Sequence, residues 1–335
     1  MPDAPLNDIP AEGIPADASV VTATRPGQAH FFADLDQTPL LGAVDAPDET
    51  TAPTSLWKDA WIQMRRRALF WISAVLIVLV ILVALFPHVF TQVDPRFCDL
   101  SRSVGDPRAG HWFGFDFQGC DIYSRVIYGA RASVTVGVLA TLGVSIFGVL
   151  IGSIAGYYGK WFDVILSRVT DIFFGIPLLL AAILVASVFS RNRTTLLVAT
   201  VLAVFGWPQI ARITRGAVLS VKNNEFVIAA QALGISKPGI LLRHIIPNAI
   251  APVIATATVT LGTFIVVEAT LSFLGVGLPP SVVSWGGDIS RAQDVIRTAP
   301  QLLFYPGAAL GLTVLSFIMM GDVVRDALDP KARTR

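Results

Sequence analysis

Charged residues are scarce in this 335-residue chain. Asp, Glu, Lys and Arg together make up 15% of it, whereas a soluble domain carries about 25%. Hydrophobic residues account for 53%, and the mean hydropathy is +0.64. A folded surface made from this composition is too apolar to be coated by water. The composition therefore excludes a disordered protein, a nucleic-acid-binding protein and an ordinary cytosolic enzyme.

Residues that carry chemistry are also few. The four His residues are scattered without metal-ligand spacing, so no metal site is expected. The sole Gly-Lys pair, Gly159-Lys160, does not fit a phosphate-binding loop, because position 154 is isoleucine and Trp161 follows the lysine. No nucleophile stands beside a base in a recognisable arrangement. The sequence predicts a chain that is not an enzyme, does not hydrolyse ATP and holds no cofactor of its own.

The net charge of +1 conceals an asymmetry between the two parts of the chain. Residues 1–55 contain nine acidic residues and a single basic one, so this segment carries −8 and residues 56–335 carry +9. The acidic segment has no apolar periodicity and lacks the basic start and apolar stretch of a signal peptide. It is expected to be a disordered acidic cytoplasmic tail.

Six apolar segments are predicted to cross a membrane, since a spanning helix needs about 20 predominantly apolar residues. Pro177 and Pro208 each fall within a short span and are expected to kink it. The predicted spans are residues 69–90, 134–157, 172–189, 195–210, 251–267 and 302–320. With both termini placed in the cytoplasm, the inner segments hold sixteen Lys and Arg and the outer segments nine. This bias predicts that orientation, with a long outer loop over 91–131.

The predicted inner loop, residues 212–250, is unusually long and is expected to contain two short helices. Its first helix is rich in Ala and ends at Gly234, a residue that suits the left-handed conformation at a helix end. Ser236 can cap the second helix, and Pro238 fits its first turn. A small-residue helix with few large apolar anchors fits a groove on a protein partner better than a bilayer surface.

This loop carries a family pattern. The run 225–234 (EFVIAAQALG), followed by 243–248 (RHIIPN), resembles the EAA loop of importer-type ABC permeases. The second run is similar to the dipeptide/oligopeptide branch of that family. Residues that match the family pattern are Ala229, Ala230, Gly234 and Pro247. Residues that depart from it are Ile228, where the family has Glu, His244, where it has Ile, and Ile246, where it has Leu.

Three further segments, in the correct order, are similar to the same family. Residues 114–133 look like the segment before its second span, 271–275 with 285–286 like the loop after its fifth span, and 321–330 like its C-terminal signature. The resemblance covers roughly residues 56–335. It implies an N-terminal anchor helix and outer loop over 56–133 and a permease core over 134–335.

The resemblance implies an all-α membrane protein with the six-helix fold of a type I ABC importer, in the cytoplasmic membrane of a prokaryote. It implies a second permease subunit in a heterodimeric pore, two ATP-binding cassette subunits that bind ATP and Mg, and an extracytoplasmic solute-binding protein that delivers a di- or oligopeptide. The residues that would couple the chain to the ATPase are Glu225, Ala229, Ala230, Gly234, His244 and Pro247.

Two features of the spans bear on helix packing and on the substrate path. Gly148, Gly152 and Gly156 recur every four residues in the second span, a spacing that favours close helix packing over a substrate role. Glu268 is the single acid near the core of a span, at its outer end. Because acids in membranes tend to be functional, Glu268 is a candidate for the substrate path, with an interfacial or inter-subunit hydrogen bond as the alternative.

The sequence is compatible with more than one interpretation at three points. Cys98 and Cys120 share the outer loop, where an oxidising compartment permits a disulfide, but they could also be two independent small residues. The substrate could be nickel or a small glycoconjugate instead of a peptide. An ion-driven secondary transporter would require paired intramembrane acids or inverted repeats, and a membrane-embedded enzyme would require a catalytic cluster; neither signal is evident.

Overall fold

The computed structural model describes residues 56–190 and 193–328. The predicted acidic tail, residues 1–55, and the end of the C-terminal signature lie outside these residues. Within the described ranges the secondary structure is helical, and β pairing is limited to isolated bridges such as Cys98 with Cys120. The all-α prediction is confirmed for this part of the chain.

The N-terminal part forms one long helix between two short ones. The first predicted span is too long, because the helix ends at Leu85 and Pro87 opens a separate turn. Proline has no backbone N–H to continue the helical bonding, and it restricts the residue before it. A loop with one 3₁₀ turn, Leu100–Arg102, follows. The three helices are α1 (Leu56–Arg65), α2 (Ala68–Leu85) and α3 (Pro87–Phe90).

The next helix, α4, covers Ile122–Tyr158. Its 37 residues span about 55 Å, well beyond the roughly 30 Å of a hydrocarbon core. The helix therefore begins about three turns before the predicted span start at residue 134 and continues into the predicted loop. Asp121 caps these turns by accepting the backbone N–H of Ser124 at 2.8 Å. Gly159, with φ of 61°, ends the helix.

The third predicted span is broken in the structure. Two helices, α5 (Lys160–Phe174) and α6 (Leu178–Val188), meet at an angle of 75°. The predicted segment 172–189 straddles this break instead of forming one helix. Pro177 lies directly before α6, where it interrupts the helical bonding more strongly than the kink expected from the sequence.

The fourth span, α7, extends over Thr195–Val221, which is longer than predicted. Arg212 and Arg215 lie on this helix and not in a loop, because both are paired with α5. Arg215 contacts Asp163 at 2.5 and 2.7 Å, and Arg212 contacts Asp171 at 3.3 Å. The helix continues past Pro208.

The remainder of the chain contains two more long helices and several short elements. The fifth and sixth predicted spans are each too short at their C-terminal ends, where additional turns continue to Phe273 and Leu328. The helices in this part are α8 (Glu225–Ala232), α9 (Lys237–Ile240), α10 (Ile246–Ala249), α11 (Ala251–Phe273), α12 (Trp285–Ala292) and α13 (Gln301–Leu328). A π turn, Leu241–Ile245, precedes α10, and a 3₁₀ turn, Gln293–Val295, follows α12.

Five described helices are long and apolar enough to cross a membrane, and the bent pair α5–α6 makes six if it counts as one broken span. The largest apolar cluster lies where α4, α7 and α11 meet. Gly148, Gly152 and Gly156 all face α7. A Cβ atom on Gly148 would lie 2.6 Å from Cβ of Ile210, and one on Gly156 would lie 3.0 Å from Cβ of Val218. These glycines therefore let α4 and α7 approach closely.

Candidate functional site

The chain between α7 and α11, residues 222–250, is called here the EAA-like segment. It leaves α7 at Lys222, whose Nζ donates a 3.1 Å hydrogen bond to the Gly156 carbonyl at the end of α4. A cation is favourable at this position because carbonyl groups at a helix C-terminus carry partial negative charge. The segment then forms α8, α9, the π turn and α10 before α11 begins.

An apolar cluster fixes the EAA-like segment to the end of α7. Val227 and Ala230 provide the buried face of α8. The side chains that form the cluster are Val218, Val227, Ala230, Ile240, Leu241, Ile245 and Ala249. A displacement of α8 would therefore act through this cluster on α7, at Val218, and on α10, at Ala249, directly before α11, because close-packed interiors transmit strain.

Large apolar side chains that the cluster does not bury are exposed around the rest of α8 and form its open apolar surface. Phe226 is 40% exposed, Ile228 is 56% exposed, and Leu233, directly after the helix, is 81% exposed. The family pattern marks Ile228 only as a departure and gives Phe226 and Leu233 no role. No signal in the sequence identifies this surface, because only packing decides which apolar residues of α8 are buried.

The predicted coupling residues occupy different positions within the segment. Glu225 and Ala229 are exposed, whereas Ala230 is buried in the cluster. Gly234 has a φ of 76°, as its predicted role at the helix end requires, and its N–H bonds to the Gln231 carbonyl at 3.0 Å. This geometry ends α8 in the left-handed conformation that glycine adopts most easily.

The second half of the segment is irregular. His244 is half-buried in the π turn, and its carbonyl accepts a 2.7 Å hydrogen bond from Asn248 Nδ2. Pro247 is exposed in the first turn of α10. Ser236 precedes α9 as predicted, but the expected side-chain cap is not formed; its backbone carbonyl accepts the N–H of Ile240 instead.

The opposite ends of α4 and α7 meet a second structured region, residues 91–121 together with α12, called here the cap. Cys98 and Cys120 are joined by a disulfide bond within it, with Cα atoms 4.1 Å apart. Asp116 accepts the backbone N–H groups of Gln118 and Cys120 at 2.8 and 2.9 Å. The cap is therefore closed on itself by covalent and polar contacts.

A buried ion pair joins the cap to α4. Arg125 donates from Nε and Nη2 to Asp288 Oδ1 at 3.0 and 2.6 Å, and from Nη1 to the Pro95 carbonyl at 3.1 Å. Arg291 also contacts the same Asp288 oxygen. Burial raises the pKa of Asp288 to about 6, and the Arg125 guanidinium opposes this rise. Arg125 falls in the predicted outer loop, and its partner is 163 residues away in the sequence.

The motif 285–286 also belongs to this junction. Trp285 is buried, and its Nε1 donates a 2.8 Å hydrogen bond to the Val126 carbonyl of α4. A Cβ atom on Gly129 would lie 3.1 Å from the Trp285 ring, and one on Gly286 would contact the backbone of Ala269. Small residues on both sides let α12 lie against α4 and α11.

Glu268 does not face an open cavity. It is fully buried, Oε2 accepts a hydrogen bond from Ser133 of α4, and Oε1 accepts one from Ser272 of α11, both at 2.8 Å. Ser272 Oγ also accepts the N–H of Leu278 at 3.2 Å. Both oxygens thus bond hydroxyl groups of the same chain, between two helices, and a role of Glu268 in the substrate path stays a prediction.

Three larger cavities open along the bundle. One of about 300 Å³ lies between α5 and α7 near Arg212 and Arg215, and one of about 290 Å³ adjoins the Pro177 break and Pro208. The third, of about 650 Å³, lies at the cap end. Among residues 56–190 and 193–328, no group of three His, Cys, Asp or Glu side chains could hold a metal ion.

The apolar helices and the two structured ends define an integral membrane protein that crosses the bilayer several times. The family described as binding-protein-dependent transport system inner membrane component matches residues 148–334, and the N-terminal transmembrane domain of oligopeptide transport permease C matches residues 55–103. The chain belongs to this family of transport permeases and has the transmembrane-domain fold of a type I ABC importer.

Characterised relatives cover most of the chain. It is 38% identical over 288 residues to the dipeptide transport system permease protein DppC of Alkalihalophilus pseudofirmus. The aligned residues cover 86% of the chain and 94% of the relative. It is 39% identical over 291 residues to the oligopeptide transport system permease protein OppC of Bacillus subtilis, covering 87% and 95%. The glutathione transport system permease protein GsiD of Escherichia coli is 36% identical over 288 residues, covering 86% and 93%.

These relatives are permease subunits and not enzymes, in agreement with the prediction from the sequence. The family also decides between the classes that the sequence left open, because it is neither a family of ion-driven secondary transporters nor one of membrane-embedded enzymes.

Proposed function

We propose that the chain is the C-type permease subunit of an ABC importer for di- and oligopeptides. It would form half of the translocation pore, and a second, different permease subunit would complete it. Two ATPase subunits would bind ATP and Mg, and an extracytoplasmic solute-binding protein would deliver the peptide. The names of the dipeptide and oligopeptide relatives support this substrate class.

The observation that carries the proposal is the two-sided surface of α8. Val227 and Ala230 attach the helix to α7, while the large apolar side chains of Phe226, Ile228 and Leu233 remain exposed around it. A short helix that exposes large apolar side chains fits an apolar groove on a protein partner. We assign that groove to an ATPase subunit, with Glu225, Ala229, Gly234, His244 and Pro247 shaping the segment that enters it.

The proposed mechanism is mechanical. Closure of the ATPase subunits on ATP moves α8, and the cluster around Val218 and Ala249 transmits this movement to α7 and α11. The pore then changes from inward to outward access, driven by the different affinities of the two states for ATP. The excess of Lys and Arg in the predicted inner segments supports both termini in the cytoplasm and a place in the cytoplasmic membrane of a prokaryote.

The test is the retention of the ATPase subunits on α8 variants. Leu233→Asp and Ile228→Asp place a charge on the open face without changing the buried one, and we expect both to lose the ATPase subunits on purification. Leu100→Asp is the matched control, because Leu100 is 76% exposed in the cap. Retention of the ATPase subunits by both α8 variants would contradict the proposal.

A second substrate candidate is glutathione, because a glutathione permease is 36% identical to the chain. Uptake of a radiolabelled dipeptide in the presence of excess glutathione or excess trialanine separates the two. Competition by trialanine alone supports a di- and oligopeptide importer, whereas competition by glutathione alone favours the second candidate.

A further inference from the structure

The largest of the three cavities lies at the cap end of the bundle, with a volume of about 650 Å³. It is bounded by the loop after α3, the outer turns of α4, the first residue of α7 and the segment before α12. A volume of this size is typical of small-molecule sites. Lining side chains that bear on its chemistry are Asp94, Arg96, Tyr128, Arg131, Thr135 and Thr195.

The cavity combines one carboxylate with two guanidinium groups. Asp94, Arg96 and Arg131 are all exposed, and none of them forms an ion pair with another residue in the described ranges. The nearby Arg125 differs, because it is buried and satisfied by Asp288. The charges around the cavity are thus available to a ligand, whereas those beneath it are already paired.

The backbone turn that carries Asp94 and Arg96 is held in place, and so is the guanidinium of Arg131. Asp94 Oδ1 accepts the N–H of Arg96 at 2.9 Å. Between them, the Pro95 carbonyl accepts a hydrogen bond from Arg125, which anchors this turn to α4. On the other wall, Arg131 donates from Nε and Nη2 to the carbonyls of Ala84 and Leu85, at 3.1 and 3.0 Å.

The Arg131 contacts leave its Nη1 without a hydrogen bond to any residue that the structure describes. The guanidinium is therefore oriented by the C-terminal carbonyl groups of α2 and still has donors to offer. Fixing a side chain before a ligand arrives lowers the entropy lost on binding.

We propose that this cavity binds the two charged ends of a short zwitterionic peptide before it enters the pore. Asp94 would accept the α-ammonium group, and Arg96 and Arg131 would bind the α-carboxylate. Charge-assisted hydrogen bonds of this kind are stronger than those between neutral groups, and a guanidinium matches the planar geometry of a carboxylate. The proposal rests on the proposed function, since it names the substrate groups recognised by the same transporter.

The proposal accounts for the mixture of charges. A site for an anion alone would not need Asp94, and a site for a cation alone would be weakened by two arginines. A free peptide carries one charge of each sign at a separation of a few ångströms per residue. The surrounding hydroxyl-bearing residues, Tyr128, Thr135 and Thr195, can bond the peptide backbone whatever its side chains are.

The experiment uses the complete transporter, reconstituted in liposomes and saturated with solute-binding protein loaded with radiolabelled trialanine. The measured quantity is the amount of peptide taken up per ATP hydrolysed. We expect Asp94→Asn and Arg96→Gln each to lower this ratio about tenfold, the loss for one charge-assisted hydrogen bond. Asp94→Glu keeps the carboxylate and is expected to restore most of the ratio, which separates lost recognition from misfolding.

Matched controls change the same charges outside the cavity. Asp106 and Arg297 are both exposed and do not line it. Asp106→Asn and Arg297→Gln are expected to leave the ratio at the wild-type value.

Two results would overturn the proposal. If uptake and ATP hydrolysis fall in proportion in Asp94→Asn and Arg96→Gln, these charges dock the solute-binding protein instead of holding the peptide. If the ratio stays at the wild-type value in both variants, the cavity does not handle the peptide ends. Failure of the proposed function would be seen separately, since the wild-type transporter itself would then take up no trialanine.

Discussion

The two ends of α4 and α7 are built in different ways. At the cap end, a disulfide between Cys98 and Cys120 closes the loop on itself, and a buried ion pair between Arg125 and Asp288 fixes the cap to α4. At the other end, the EAA-like segment is attached mainly by apolar contacts and leaves Leu233 almost fully exposed.

This difference indicates different tasks. Covalent and buried polar contacts define one arrangement closely, because each requires specific partners at specific distances. Apolar contacts between α8 and α7 permit small shifts at lower cost, and an open apolar face needs a partner to cover it. We infer that the cap end is a fixed frame and that the EAA-like segment completes its structure only with an ATPase subunit.

The largest expected effect comes from removing the buried arginine of the cap. Arg125→Met leaves the Asp288 carboxylate buried with Arg291 as its remaining charged partner, and should cost about 3–5 kcal/mol of unfolding free energy. Thermal unfolding of the purified complex measures it. Arg102→Met removes a surface pair with Asp99 and should lower the unfolding free energy far less, because solvent screens such pairs. Equal losses of unfolding free energy in both variants would contradict the idea that the buried ion pair holds the cap more firmly than a surface pair does.

Removing the disulfide also tests the fixed frame at the cap end, because a disulfide stabilises mainly by restricting the unfolded chain. Cys98 and Cys120 are 22 residues apart, and opening a loop of this length should cost about 3 kcal/mol. The Cys98→Ser/Cys120→Ser double variant should therefore exchange its amide hydrogens faster across residues 98–121. Exchange in 225–233 should stay the same. Faster exchange there would contradict the idea that the cap is stabilised independently of the EAA-like segment.

The stability of the cap should depend on pH through Asp288. Burial raises its pKa from an ordinary 3.8 to about 6, so the folded state holds this proton more tightly than the unfolded state. The resulting stabilisation is complete below pH 3.8 and is lost as the pH rises through 6, by at most about 3 kcal/mol. Unfolding measured from pH 7.5 to 5 should show this slope in the wild type and not in Asp288→Asn. Equal slopes would exclude Asp288 as the source.

The smallest expected effect concerns the end of α8. Gly234 has a positive φ and open space around it, so Gly234→Ala introduces backbone strain of about 1 kcal/mol without a clash. The affinity for the ATPase subunits should fall about fivefold. Gly216→Ala is the control, because Gly216 also has open space but lies within α7. An unchanged affinity in Gly234→Ala would show that this helix end does not shape the docking surface.

Much of the fold could be predicted from apolar length alone, but the ends of the helices could not. The first turns of α4 and the last turns of α7 carry arginines, which resemble loop residues when no partner is known. In the structure Arg125 pairs with Asp288 and Arg215 with Asp163. These partners are 163 and 52 residues away, so only the tertiary structure makes charged helical turns favourable there.

The candidate site divides in the same way. The glycine that ends α8 was predictable because a positive φ favours one residue type. The open apolar face was not, since Val227 and Leu233 are equally apolar and only packing decides which of them is buried. The hydroxyl partners of Glu268 could not be predicted either. Ser133 and Ser272 meet the carboxylate only when α4 and α11 pack.

The most direct test of the account is hydrogen–deuterium exchange of the permease pair with and without its ATPase subunits. We predict that binding of the ATPase subunits slows exchange across residues 225–233 about tenfold or more, while residues 98–121 exchange at the same rate in both preparations. If 225–233 exchanges equally with and without the ATPase subunits, the EAA-like segment is not their docking surface, and the central claim fails.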